Sequence, residues 1–319
     1  MGKWGMNNRV KQLIVRSFLL VFLILPFGAS AFSYDGILAF GDSLSDNGYL
    51  ADVPGGTPGN YGFGYYTNNH VWVEYLANPF HFDVPLFDMA YGGATTGYGN
   101  PAAGYPTMFG LNWQVDVYNT ALHPSPISSD TLVTVWAGAN DMFQQFNSGI
   151  YNTSGSSGAA ANIALAIQKL ANKDAMNFLV PNLPDIGMAP AFRGGLLQAA
   201  ATGWCTAFNS YLAADLAALL GPNPGVHIYT FDTFTLLDAV IANPAAYDFD
   251  NVTGQWKLKA PEDMDRYLFW DGVHPMDQAH SMLADAMFRG MQVPVPIPAA
   301  FLLFGSGLIG LFGIRRKLS

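Results

Sequence analysis

Short apolar runs rich in branched side chains alternate along the chain with longer segments of helical spacing. The apolar runs are ILAF at 37–40, TLVTVW at 131–136, NFLVP at 177–181 and VHIYTF at 226–231. The helical segments are AANIALAIQKLANK and the Leu- and Ala-rich stretch from Leu196 to Leu220. Strands that are apolar throughout and separated by helices are typical of a parallel sheet covered on both faces. We therefore expect an α/β fold, in one domain because no repeat and no linker precede Gln292.

The first 31 residues have the organisation of an export signal. Basic residues come first, the apolar run FLLVFLILPF follows, and Ala29-Ser30-Ala31 supplies a small-residue cleavage site. An uncleaved membrane anchor is the alternative, but the apolar run is short for a bilayer. We expect cleavage before Phe32, which leaves residues 32–292 as the folded domain.

Residues 293–319 form a second signal, VPVPIPAAFLLFGSGLIGLFGIRRKLS. The uncharged stretch from Pro298 to Ile314 is at the short end of a membrane-spanning helix, and three basic residues follow it as a cytoplasmic stop. A buried core helix is the alternative, which the basic end and the Pro-rich approach disfavour.

This tail resembles the PEP-CTERM sorting signal of exported Gram-negative proteins, although residues 293–296 read Val-Pro-Val-Pro where that family usually has Val-Pro-Glu-Pro. The resemblance implies a sorting enzyme as a partner and a transient anchor in the inner membrane. It also implies that the product ends at the cell surface or outside the cell.

Charge and cysteine content exclude some classes of function. Between the two signals the chain carries seven basic and 23 acidic residues, a formal charge of −16, so nucleic acid is a poor partner. Cys205 is the one cysteine, which rules out an internal disulfide and a thiolate metal cluster. We predict no metal and no cofactor.

The stretch FGDSLSDNG at 40–48 places Ser43 just after the first predicted strand. Gly, Asp and Ser each favour turns, so this stretch alone is compatible with an ordinary turn serine. In an open parallel sheet, however, ligands bind outside the carboxyl ends of the strands, and Ser43 leaves the strand at that end. Ser43 is therefore our candidate nucleophile.

A serine nucleophile needs a base, and the base needs an orienting group. His274 lies in FWDGVHP with Asp271 three residues before it, so a local turn can place the carboxylate beside the imidazole. The same spacing can serve a metal, but no further cluster of His, Cys or Asp stands nearby to complete a zinc site. We predict Ser43, Asp271 and His274 as the catalytic residues.

Attack on an ester builds negative charge on the carbonyl oxygen, and preorganised donors must face that oxygen. Asn140 in WAGAND offers a side-chain amide, and Gly93 in MAYGGATTG offers a backbone N–H without an obstructing side chain. Each has an ordinary interpretation as a turn residue. Their order along the chain, each after an apolar segment, favours a shared site.

Together these blocks resemble the GDSL family of the SGNH hydrolases, from about Asp35 to about Phe288. FGDSLSDNG, YGGATT, GAND and FWDGVHP are similar to the four blocks of that family, in the same order. VPNLPDIGMAP and DNVT are similar to its phospholipase, lecithinase and haemolysin subgroup. The resemblance implies a flavodoxin-like three-layer α/β/α domain that requires no metal. It also implies that Ser43 contributes its own N–H to the oxyanion site, beside Gly93 and Asn140.

The sequence thus predicts an exported serine esterase or lipase that works through an acyl-enzyme, with a lipid, a short acyl ester or an acetylated glycan as substrate. Two alternatives stay open. One is an esterase that removes acetyl groups from polysaccharide. The other is a non-catalytic surface protein that binds glycan through its Gly- and Tyr-rich loops.

Overall fold

Five parallel strands form the central sheet, in the order β2-β1-β3-β4-β5. The computed structural model describes residues 34–48, 66–101, 107–256 and 266–292. The strands are β1 (Gly36–Gly41), β2 (Leu86–Asp88), β3 (Thr131–Trp136), β4 (Asn177–Pro181) and β5 (His227–Phe231). The order 2-1-3-4-5 is that of flavodoxin-like doubly wound sheets. The predicted α/β class and the three-layer architecture are confirmed.

The two predicted terminal signals, 1–31 and 293–319, lie outside the described residues and remain predictions. Within the part of the chain that the structure describes, no helix combines the length and the apolar character needed to cross a bilayer. All the residues discussed below, up to Gly290, belong to one compact unit.

Seven α-helices of the described residues flank the sheet. They are α1 (Trp72–Ala77), α2 (Leu111–Val117), α3 (Ala139–Asn147), α4 (Ser156–Ala171), α5 (Gln198–Leu220), α6 (Thr233–Ala242) and α7 (Asp277–Gln292). One core contains Leu38, Val133 and Phe178, which lie on β1, β3 and β4, together with buried side chains of α2, α4 and α5. On the other face the Trp72 ring of α1 packs edge-on against Trp136 at 5.6 Å.

The two long helices bury the residues that their periodicity predicts. In α5, Trp204, Phe208, Leu212 and Leu216 recur every fourth position and are all buried, which is the spacing of one helical face. Cys205 lies on the same helix, reduced and fully buried. The sole cysteine is therefore a small core residue, as its helical context predicts.

The site lies at the switch point of the sheet. Strands β1 and β3 are neighbours, and Gly41 and Trp136 at their carboxyl ends are register partners. From β1 the chain proceeds to β2 on one side, whereas from β3 it proceeds to β4 on the other. Such a reversal leaves a crevice between the two outgoing loops, and these loops carry Ser43 and Asn140.

A separate pair of parallel strands, β6 (Asn251–Gln255) and β7 (Tyr267–Phe269), leads into the remaining part of the site. Leu268 and Phe269 are buried in a small core that also contains Val240 of α6 and Ala279 of α7. This core supports the turn that follows β7.

Candidate active site

Ser43 lies in a tight turn directly after β1. The Asp42 carbonyl oxygen accepts the N–H groups of Ser45 and Asp46, both at 3.0 Å, and the Asp42 carboxylate accepts the N–H of Leu44 at 3.1 Å. The Ser43 side chain is nearly buried, with 8% of the residue exposed. Its own N–H donates to no group of the described residues. The turn-forming residues do form a turn, and this turn presents Ser43 at the carboxyl end of the sheet.

Asp271 and His274 form one local unit after β7. The His274 Nδ1 atom lies 2.9 and 3.0 Å from the two Asp271 carboxylate oxygens. Oδ1 of Asp271 also accepts the N–H groups of Val273 and His274, each at 2.9 Å. The turn closes through the Trp270 N–H, which donates to the His274 carbonyl oxygen at 2.8 Å. The three-residue spacing therefore does place the carboxylate against the imidazole.

The structure joins this unit to Ser43. The His274 Nε2 atom is 2.8 Å from the Ser43 Oγ atom, although the two residues are 231 positions apart in the chain. The Tyr66 ring lies against the imidazole with centroids 5.1 Å apart. Burial raises the pKa of the Asp271 carboxyl, but the hydrogen bond and charge of His274 and two backbone N–H groups outweigh this effect. The pKa of Asp271 therefore lies well below its ordinary value.

Gly93 lies in a loop that hydrogen bonds hold against the serine turn. Its φ of 81° is in the left-handed region that favours glycine. The N–H of the preceding Gly92 donates to Asp46 Oδ2 at 2.7 Å, and the other oxygen of Asp46 accepts the Gly48 N–H at 2.8 Å. The Gly93 N–H itself has no partner among the residues that the structure describes.

Asn140 lies in the first turn of α3, which begins after Gly138 with a φ of 135°. A side chain at Gly138 would lie 2.8 Å from the Phe208 ring, so both backbone and space favour glycine there. The Asn140 Nδ2 group donates to the Ala94 carbonyl oxygen at 3.0 Å and lies 3.5 Å from Asp42 Oδ2. The amide thus reaches the same crevice as Ser43, and one of its two hydrogens is bonded to the Ala94 carbonyl oxygen.

Four aspartates around the crevice were given no role by the sequence analysis. They are Asp42, Asp46 and Asp88, which are buried, and Asp141, which is half-buried. Burial raises the pKa of each, to about 7 for Asp42 and about 6 for Asp46 and Asp141. Each also accepts at least one backbone N–H. Asp42, Asp46 and Asp141 lie within the stretches FGDSLSDNG and WAGAND, and Asp88 is the last residue of β2.

One of these carboxylates completes the anchoring of the YGGATT loop. Asp141 of α3 accepts the Thr96 N–H at 2.9 Å and the Thr96 hydroxyl at 2.8 Å. The loop is therefore held at Gly92 by Asp46, at Ala94 by Asn140 and at Thr96 by Asp141. Three attachment points fix the backbone on either side of Gly93.

A cavity of about 40 Å³ opens at the Ser43 and His274 side chains. Apolar side chains line much of it, and Asp42 and Asn140 supply polar groups. In the described part of the chain, His, Cys, Asp and Glu side chains form no group of three or more suited to a metal ion. Asp250, in the stretch DFDNVTG, forms an ion pair with Arg266. The crevice can thus support acid–base and nucleophilic chemistry by its side chains.

Comparison with known proteins decides the family. The sequence profile described as GDSL-like Lipase/Acylhydrolase matches residues 37–287, which is most of the chain. The chain belongs to the GDSL-like lipase/acylhydrolase family. The predicted GDSL family is confirmed, and membership of this family supports the predicted enzyme class, a hydrolase acting on ester bonds. The match also agrees with the extent of the four sequence blocks.

Three curated relatives show what the chain is similar to. The chain is 27% identical to the thermolabile hemolysin of Vibrio parahaemolyticus serotype O3:K6, over 79% of this chain and 63% of that protein. It is 30% identical to the phosphatidylcholine-sterol acyltransferase of Aeromonas hydrophila, over 67% and 63%. It is 25% identical to an acetylesterase of Thermothelomyces thermophilus, over 82% and 90%. The chain thus spans about 63% of the length of the first two relatives.

Proposed function

We propose that this GDSL-family protein is an exported serine esterase that hydrolyses carboxylic esters through an acyl-enzyme. The observation that carries the proposal is the 2.8 Å contact between Ser43 Oγ and His274 Nε2, with Asp271 on the opposite ring nitrogen. A serine hydroxyl becomes a useful nucleophile when a base within hydrogen-bond reach is itself oriented by a third group. Here all three groups lie in one crevice.

In the acylation step, Ser43 Oγ forms a bond to the ester carbonyl carbon while its proton passes to His274 Nε2. The carbonyl π electrons move to oxygen and generate a tetrahedral oxyanion. When this intermediate collapses, the bond to the alcohol oxygen breaks and the alcohol takes the proton from His274. Asp271 stays ionised throughout, because its pKa is held low, and it stabilises the imidazolium.

Deacylation repeats these steps with water as the nucleophile. His274 accepts a proton from the water, the water oxygen bonds to the acyl carbon, and the Ser43 oxygen leaves with the proton returned by His274. The products are a carboxylic acid and free enzyme. No metal or cofactor is needed for the atoms and charges to balance.

Three donors are assigned to the oxyanion: the N–H groups of Ser43 and Gly93 and the Asn140 amide. The two backbone groups have no partner among the described residues. The second Asn140 hydrogen is engaged only by the long 3.5 Å contact to Asp42, which a developing oxyanion can replace. Donors held in advance at the position of the developing charge stabilise the transition state without reorganisation.

Lipid esters are the substrate class that we favour. Of the relatives, the phosphatidylcholine-sterol acyltransferase bears a name that states acyl transfer from a phospholipid, which is a reaction that an acyl-enzyme can carry out. An acetyl esterase acting on polysaccharide is the second candidate, supported by the acetylesterase that aligns over 90% of its own length. Family membership disfavours the non-catalytic glycan-binding alternative.

Export is part of the same proposal. The charged, apolar and small-residue sections of residues 1–31 support secretion, and residues 293–319 support transient anchoring and processing by a sorting enzyme at the cell surface. Pulse-labelling of the full chain in a Gram-negative host tests this. We expect a mass decrease at both ends, whereas a full-length product that stays in the cytoplasm would reject it.

The enzymatic proposal is tested with nitrophenyl esters from acetate to palmitate and the Ser43→Ala variant. Because Ser43 supplies the attacking atom, we expect the variant to lose at least about 10⁴-fold in kcat while it stays folded. Ser129→Ala, a change at an exposed serine, is the matched control. Turnover of a clean Ser43→Ala preparation at the wild-type rate would reject the assignment.

A further inference from the structure

A second, apolar cavity adjoins the active site. It holds about 70 Å³. Its described walls come from the end of β3, the segment after β4, and helices α6 and α7. Representative wall residues are Trp136, Ile186, Leu237, Val240, Ala279 and Met282.

The wall residues carry two side chains with an N–H or O–H group, and both groups are already bonded within the protein. The Trp136 indole N–H donates to the Asn182 carbonyl oxygen at 3.0 Å, and the Thr233 hydroxyl donates to the same oxygen at 2.6 Å. A space lined by apolar side chains, whose two polar side-chain groups are already bonded, holds water poorly and accepts apolar groups. The chemistry of the cavity therefore selects hydrocarbon.

The two cavities share part of their walls. Leu44, Pro184, Ile186 and Val273 line both. Leu44 follows the nucleophile in the chain, and Val273 precedes the histidine. The apolar space thus begins directly behind the groups that would attack the ester.

We propose that this cavity receives the acyl chain of the substrate. The inference rests on the proposed function, since it places the acyl carbonyl at Ser43 and directs its chain past Leu44 and Val273. A sugar is excluded as the occupant, because its hydroxyls would be buried without partners. An acetyl group is too short to leave the active-site cavity.

The size of the cavity sets the preferred chain length. One water-sized group requires roughly 10–15 Å³ on this measure, so 70 Å³ accommodates a row of about five methylene groups. The first carbons of the chain lie in the active-site cavity itself. The structure therefore favours medium chains such as octanoate over acetate.

The test compares the ratio of kcat/KM for nitrophenyl octanoate to that for nitrophenyl acetate in the full-length enzyme and its variants. Ala279→Leu and Leu237→Trp add bulk to opposite walls of the cavity. Because each displaces more than one methylene position, we expect the ratio to fall at least about tenfold. Ala242→Trp adds the same indole to an exposed position of α6 and should keep the wild-type ratio. Met282→Ala enlarges the cavity and should shift the preference towards longer chains.

The outcomes separate this inference from the function on which it rests. If no ester is hydrolysed in a Ser43-dependent manner, the proposed function fails. If hydrolysis depends on Ser43 but both filling variants and Met282→Ala keep the wild-type chain-length profile, the acyl pocket alone is rejected. Octyl acetate, with the long chain on the alcohol, distinguishes the two sides of the ester. A loss confined to octyl acetate would assign the cavity to the alcohol and overturn the proposal.

Discussion

The two halves of the candidate site are built in different ways. Asp271 and His274 are three residues apart, and their contacts lie within one turn closed by its own backbone. Ser43, Gly93 and Asn140 come from three distant segments that buried carboxylates tie together. A local unit can be anticipated from spacing alone. The distant half depends on tertiary hydrogen bonds that no spacing reveals.

The two halves also differ electrostatically. Asp271 is held charged by the imidazole and backbone donors, so its pKa is low. Asp42 and Asp46 are buried more deeply, and burial raises their pKa. The Leu44 N–H and the charge of His274 lower the pKa of Asp42, and two backbone N–H groups lower that of Asp46, but burial outweighs these effects. The local half should therefore respond little to pH through its carboxylate, whereas the distant half should respond strongly.

The largest effect is expected when the local half, Asp271 and His274, is disrupted. Asp271→Asn keeps the shape of the turn but removes the charge that stabilises the imidazolium and selects its tautomer. We expect kcat to fall by roughly 10⁴-fold, as loss of this function does in other serine hydrolases. Steady-state kinetics with a nitrophenyl ester measures the change. A decrease of less than tenfold in a folded variant would show that Asp271 does not act through His274.

A smaller effect is expected when the side-chain donor of the distant half, Asn140, is removed. Asn140→Ala removes one oxyanion donor and also the bond to Ala94, so we expect kcat to fall by about a hundredfold to a thousandfold. KM should change little, because the donor acts mainly on the transition state. Asn147→Ala, at the exposed end of the same helix, is the matched control. Equal rates for the two variants would leave Asn140 as a helix-start residue.

A still smaller effect on kcat is expected at Asp46. This residue holds the backbone of the distant half in position and is not assigned a contact with the substrate. In Asp46→Asn one side-chain oxygen must serve where two now accept the N–H groups of Gly48 and Gly92. We expect about a tenfold loss of kcat above pH 7, from a displaced Gly93 N–H. Because burial raises the pKa of Asp46 to about 6, the wild type is itself protonated in more acidic solution. The difference in kcat between the wild type and Asp46→Asn should therefore become smaller towards about pH 5. A ratio of the two kcat values that does not change with pH would contradict this role.

The smallest effect concerns stability. The folded state retains the Asp42 proton up to about pH 7, whereas the unfolded chain releases it near 3.8. Stability from this group is therefore lost as pH rises between these values, by about 1 kcal/mol between pH 5.5 and pH 6.5. Asp42→Asn should remove that part of the slope. Urea unfolding of both proteins at the two pH values measures it, and equal slopes would contradict the raised pKa.

The sequence predicted the regular parts of the fold well. The runs at 131–136 and 177–181 coincide with β3 and β4, because strands buried on both faces are apolar throughout. The helical stretch predicted from Leu196 begins at Gln198. The three-residue strand β2 is too short to show a pattern. Helix α6 was missed as a whole, although Asp232 caps its start by accepting the Thr235 N–H.

The site likewise has a part that the sequence predicts and a part that it does not. The Asp271 to His274 geometry follows from three residues of spacing, and the strand ends explain why Ser43 and Asn140 meet. The anchoring by Asp46 and Asp141 was not predicted, because each reaches a backbone group 45 or 46 residues away. The apolar cavity was not predicted either. Its walls come from separate segments, each of which appears in the sequence as ordinary core.

The central claim is that Ser43 is the activated nucleophile of the crevice. A fluorophosphonate probe followed by peptide mass spectrometry tests it most directly, in the wild type and in His274→Ala. The account predicts one phosphonyl group per chain, attached to Ser43, and labelling that is at least about a hundredfold slower without the His274 base. Attachment to another residue, or equally fast labelling of Ser43 in His274→Ala, would contradict it.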